Sequence, residues 1–136
     1  MTPPKTLDTE GKRVWTRFRK LLEARGVWDD ASPELLTQCV ACLQEAREAR
    51  ERIAERVKHE GSEARWTKGS RGQLVLHPDV DLIRHSLADA LRIGDALLLT
   101  PASARRAGVV ADTTVENPFA AYIPDELAPR RRRTAT

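Results

Sequence analysis

A chain of 136 residues with 32% charged, 40% hydrophobic and only 4% aromatic side chains has room for one domain with a modest core, and its balance reads as mainly helical with much solvated surface. Twenty-three basic residues against 20 acidic ones leave a formal net charge of +3, which permits nucleic-acid contact without requiring it. No run approaches the roughly 18 apolar residues of a membrane span, and Met1 to Lys5 lack the apolar stretch of a signal peptide, so a cytosolic site of action is expected.

Residues 1–9 are polar and proline-containing and read as a flexible start. A first helix is expected from about Glu10 to Arg25, because Val14, Trp15, Phe18, Leu21 and Leu22 recur at helical spacing. Lys12, Arg13, Arg17, Arg19 and Lys20 fill the positions between them. From Lys12 to Arg25 there are six basic residues and one acid, Glu23, a local charge of +5. This is the first candidate nucleic-acid surface, since phosphate contact needs only positive charge and reach; the bland alternative is a solvated helix face. Gly26 suits the residue just past the helix end.

Ser32 as N-cap and Pro33 in the first turn open a second helix, which runs to about Glu60. Leu36, Cys39, Leu43, Ala46, Ala49, Ile53 and Val57 form its apolar stripe, with small residues in the middle that let another helix approach. The first helix is its expected partner in a helical hairpin. Cys39 and Cys42 have redox-motif spacing, but they lie inside this helical pattern with no second pair, so they read as reduced core thiols.

After Gly61 the period changes. Two short strand-like runs flank Gly69-Ser70-Arg71-Gly72 and read as a β-hairpin carrying Arg65, Lys68 and Arg71 and no acid of its own. These three are further candidates for DNA contact, whereas Trp66 reads better as an interface residue, because an isolated hairpin needs something to pack on. His77-Pro78 starts a third helix, with Val80, Ile83, Leu87, Leu91 and Leu98 as its stripe and Gly94 as a break or kink. Thr100 caps a short fourth helix that ends near Arg105-Arg106.

Residues 109–136 lose periodicity and read as a disordered, mobile tail. Its apolar members Phe119, Tyr122, Ile123 and Leu127, followed by the basic run Arg130, Arg131, Arg132 and Arg133, are candidate partner-binding residues, since apolar side chains inside a polar tail suit a docking segment. Folding back onto the protein's own assembled ring is the alternative.

Catalytic signatures are missing: there is no phosphate-cradling Walker loop, no nucleophile elbow and no zinc-protease pair. His77 and His85 near Asp79 and Asp81 suit capping and surface roles better than a metal site. No enzyme activity, cofactor or metal is therefore expected.

The order of pieces resembles the small terminase subunits of tailed phages, of the type found in siphophages and prophages. It rests on Gly11-x-x-x-Trp15, Gly26-Val27-Trp28 with the acidic Asp29-Asp30 after it, the long helix, the hairpin ending in His77-Pro78, and Leu99-Thr100-Pro101-x-Ser103-x-Arg105. The family's usual glycine before Leu-Thr-Pro is replaced by the run Leu97-Leu98-Leu99. The resemblance implies a helical DNA-binding and oligomerisation domain over residues 10–108 and a homo-oligomeric ring. It also implies recognition of double-stranded viral DNA in the host cytoplasm and delivery to the large terminase subunit, which carries the ATPase and nuclease. The competing reading is a small helical transcription regulator using the first two helices as a helix-turn-helix; the stretch from Gly26 to Pro33 is long for that motif. A small enzyme built on the Cys39/Cys42 pair is a third.

Overall fold

A computed structural model describes residues 1–109 and 117–122. Among these the elements run α1 (Thr9–Ala24), α2 (Ser32–Glu60), a 3-10 turn at Ser62–Arg65, β1 (Trp66–Lys68), β2 (Leu74–Leu76), α3 (Pro78–Ala96), α4 (Pro101–Arg106) and a last 3-10 turn at Ala120–Tyr122. The expected mainly helical class with one short hairpin is what is found.

α2 is the axis of the molecule. Its 29 residues make a rod of roughly 43 Å at 1.5 Å per residue. α1 runs antiparallel to its first half: the Asp8 backbone N–H donates to Gln44 Oε1 (3.0 Å) and Trp15 Nε1 to Thr37 Oγ1 (3.2 Å). α3 is antiparallel to nearly the whole rod, through Arg52 to Asp79, Ser86 to Glu45 and Cys39 Sγ to the Ala90 carbonyl. The most extensive helix pairing is therefore α2 with α3, not the expected hairpin of α2 with α1. The reason is side-chain size: buried Ala46 and Ala49 on α2 and Ala90 on α3 allow close approach along the rod.

The start of α1 is tied down rather than flexible. Leu7 is buried, the Asp8 side chain accepts from Gly11 N (2.6 Å), and the Asp8 carboxylate pairs with Arg47. A Cβ on Gly11 would lie 2.9 Å from Gln44 Oε1, so a larger residue here would push aside the side chain that accepts from Asp8 N. Gly26, with φ +71°, ends α1: Val27 N bonds to Leu22 O and Gly26 N to Glu23 O, both near 3 Å. Asp29 takes the capping role expected of Ser32. Its carboxylate accepts from the backbone of Ala31 and Ser32 and from the Ser32 hydroxyl, and Ser32 becomes the first helical residue.

The core joins Trp15, Phe18 and Leu22 of α1 to Leu36, Cys39, Val40 and Leu43 of α2 and to Leu87 and Ala90 of α3. α3 continues through Gly94 without a break. It then ends as α1 does, with Leu99 N bonded to Gly94 O and Leu98 N to Asp95 O. The left-handed position of this ending is held by Leu98, at φ 61°. That is the position at which the family was expected to carry glycine, and the geometry supplies the reason. Thr100 caps α4 as expected, accepting from Ser103 N.

Residues 117–122 depart from the tail expectation. Phe119 is 1% exposed, 5.4 Å from the Phe18 ring, and it fills the space above Gly94, where a Cβ would lie 2.5 Å from Phe119 Cζ. Asn117 organises the approach by accepting from Phe119 N.

Candidate nucleic-acid interface

The solvent side of α1 gathers Lys12, Arg13, Arg17 and Lys20 around a shallow groove completed by Pro3, Thr9 and Thr16. Spacings of three and four residues bring these side chains to one face. Thr16 turns its hydroxyl back to the Lys12 carbonyl (2.9 Å), so it does not compete for the cations. Two acids stand nearby: Glu23, three residues past Lys20 and paired with Arg19, and Glu10, 3.6 Å from Arg13 with both of those groups mostly exposed. Such a pair is weak in water and leaves the field of the face positive. Arg17 sits over the Phe18 ring (5.4 Å) and donates to the Tyr122 hydroxyl (3.3 Å).

Arg19 does not join this face. It pairs with Glu23 (2.9 Å), lies over the rings of Trp15 and Trp28 at 6.0 and 5.7 Å, and donates to the Met1 carbonyl. Its cation is engaged within the chain, because Trp28 folds back edge-on to Trp15 beneath it. Its charge is thus partly offset within the chain.

Arg65, Lys68 and Arg71 sit at the far end of α2. The register Trp66–Leu76, Thr67–Val75 and Lys68–Leu74 puts Trp66, Lys68, Leu74 and Leu76 on one side of the hairpin. Trp66 is 48% and Leu74 71% exposed. The hollow beside them is also lined by Glu60 and Glu63. The hairpin has no acid of its own, but α2 and the 3-10 turn bring two alongside. An apolar patch rimmed by both signs suits a protein contact better than a phosphate backbone. From the level of Lys12 on α2 to the hairpin is roughly 30 Å, so the two basic sets do not form one surface.

The hairpin is seated by α2. Arg52 holds the Asp79 carboxylate with two hydrogen bonds (3.2 and 3.0 Å), keeping its pKa below the usual carboxylate range. His77 caps α3, accepting from Asp79 N at Nδ1, while Arg56 Nη1 lies 2.9 Å from its Nε2. Cys39 is fully buried and its thiol is pushed up to about 12 by desolvation, and the Cys42 thiol is raised for the same reason. Neither has the lowered pKa of a redox nucleophile.

Of the tail candidates, Phe119 lies in the chain's own core and Tyr122 rests half-buried against α1, so neither forms the free docking surface expected of them. Ile123, Leu127, Arg130, Arg131, Arg132 and Arg133 lie outside the described residues. Sequence reasoning missed Arg47, which anchors Asp8, Arg25, which donates to the Leu98 and Leu99 carbonyls, and Arg50, which donates to the Tyr122 carbonyl. All three contacts join residues far apart in sequence, and no local pattern marks them. No described helix is long and apolar enough to cross a membrane.

Comparison with curated proteins and with solved structures yields no match. Comparison with family models yields one, described as phage terminase, small subunit, over residues 11–114. That span takes in α1 to α4, the basic face and the hairpin, and most of the chain: it belongs to the phage terminase small subunit family, whose role is in phage DNA packaging.

Proposed function

We propose that the protein is a non-catalytic adaptor that binds double-stranded viral DNA through the α1 face and delivers it to the large terminase subunit in the infected host cell. Lys12, Arg13, Arg17 and Lys20 converge on one side of α1 and outnumber the acids Glu10 and Glu23 beside them, and this carries the DNA reading. Phosphate neutralisation there is independent of sequence; register and orientation come first, and base recognition is a separate matter. A homo-oligomeric ring is part of the same reading. The exposed Trp66 and Leu74 with their mixed-charge rim support it, since a contact between unlike patches, repeated by rotation, closes. The transcription-regulator alternative is not favoured, because α1 lies antiparallel along α2 instead of crossing it as in a helix-turn-helix.

The test is a salt titration of duplex binding by the whole protein. Replacing Lys12, Arg13, Arg17 and Lys20 together by Ala should flatten the log–log salt dependence by up to about 3.6, at about 0.9 per phosphate. An unchanged slope moves the DNA site away from α1.

A further inference from the structure

Residues 117–122 bridge three helices. Phe119 is wedged between Phe18 of α1 and the bare backbone of Gly94 in α3. Tyr122 accepts from Arg17 of α1 at its hydroxyl (3.3 Å) and from Arg50 of α2 at its carbonyl (3.4 Å). The anchor is thus apolar and deep, whereas the outer contact is polar, exposed and made to Arg17. That residue is one of the four cations of the basic face, four positions from Arg13 and three from Lys20. A phosphate arriving at α1 meets Tyr122 at this point.

We propose that residues 117–122 form a releasable strap that competes with DNA phosphate for Arg17, so that strap docking and DNA binding by α1 oppose one another. The proposal rests on the reading of α1 as the DNA face. A phosphate brings a full opposite charge and can take two guanidinium N–H groups at once, whereas the Tyr122 hydroxyl is one neutral acceptor, so the nucleic acid displaces Tyr122 from Arg17. Phe119 resists, because its burial favours the closed strap. The coupling is reciprocal. Any protein partner that draws Tyr122 off α1 tightens DNA binding, and bound DNA loosens the strap by the same factor.

Two substitutions approach the strap from opposite sides. Gly94→Ala places a methyl group 2.5 Å from Phe119 Cζ, and it expels the ring while keeping a good helix former in α3. Tyr122→Phe removes only the hydroxyl. With full-length protein and a fluorescent duplex, both variants should bind more tightly than the parent. The gain should be at least about fivefold, the low end of such couplings, with the parent's salt slope retained, because Arg17 meets phosphate in the bound state of all three proteins. Should Gly94→Ala fail to fold, Tyr122→Phe decides alone. Parent-like affinity in the variants, with weakened binding in Lys12→Ala/Arg13→Ala, overturns the strap and leaves the α1 face standing. If Lys12→Ala/Arg13→Ala also binds like the parent, both ideas fall.

Discussion

Arg25, at the end of α1, donates through Nη1 to the carbonyl oxygens of Leu98 (2.5 Å) and Leu99 (3.0 Å). Leu98 is the one non-glycine among the described residues with positive φ. The guanidinium therefore pins a turn that leucine disfavours by roughly 1–2 kcal/mol. Leu98→Gly should stabilise the protein by about 0.5 kcal/mol, since the relief exceeds the added chain entropy of glycine. Arg25→Met should lower stability by about 2 kcal/mol through loss of two charge-assisted bonds. Denaturant midpoints decide both, and a less stable Leu98→Gly would refute the strain.

Two truncations separate the core-bound part of the C-terminal segment from the residues beyond Tyr122. Ending the chain after Val109 removes Phe119 from its site and should lower stability by about 3 kcal/mol. Ending it after Tyr122 should leave the melting curve unchanged. On the proposal that the residues past Tyr122 engage the large subunit, the second truncation should nevertheless lose stimulation of its ATPase. Identical melting of the two would show that Phe119 adds nothing to the fold.

Trp66→Ala combined with Leu74→Ser should reduce the assembled mass in light scattering and leave helicity intact, because both side chains face solvent in the single chain. An unaltered mass at micromolar concentration would place the subunit contact elsewhere.

Asp79 gives a pH dependence of known sign. Its folded pKa is lowered, first by the Arg52 hydrogen bond, so the unfolded chain binds the proton more readily. The stability this contributes is complete above the unfolded carboxylate pKa of about 4 and is lost as pH falls through the lower folded value. Asp79→Asn should be less stable than the parent at neutral pH and should flatten the acid limb of the unfolding curve. If the limb keeps its slope, the pair does not stabilise the fold.

Both cysteines should alkylate slowly at pH 8 in the native state, with Cys42 ahead of the fully buried Cys39. Mass spectrometry after timed exposure to iodoacetamide measures the order. Rapid labelling of Cys39 would mean that the α2–α3 seam opens.

The helices were legible where the signal is local. The α1 stripe, Gly26 as its stop, Pro33 and Pro78 as starts and Thr100 as a cap follow from backbone chemistry within a few residues. The hairpin was legible from its glycines. The pairing of α2 with α3 was not, because stripes on three helices fit one another in more than one way. Membership of the basic face was only partly legible. Helical spacing collects Lys12, Arg13, Arg17 and Lys20, but Arg19 is removed by Trp28, which returns from a loop. Glu60 and Glu63 likewise come beside Trp66 from neighbouring elements. Phe119 reads as an apolar residue in a polar stretch until Gly94 supplies the vacant surface it fills.

The length of α2 sets a ruler for the nucleic acid. Roughly 30 Å between the α1 face and the hairpin corresponds to about nine base-pair steps of duplex at 3.4 Å each. Were Arg65, Lys68 and Arg71 to meet DNA as well as α1, one chain along a straight duplex would touch phosphates nearly a helical turn apart, and the cations at its two ends would answer to different groups. Their contributions to binding free energy should then simply add, and any departure from additivity would report that the duplex is bent or that a neighbouring subunit has brought the two ends together.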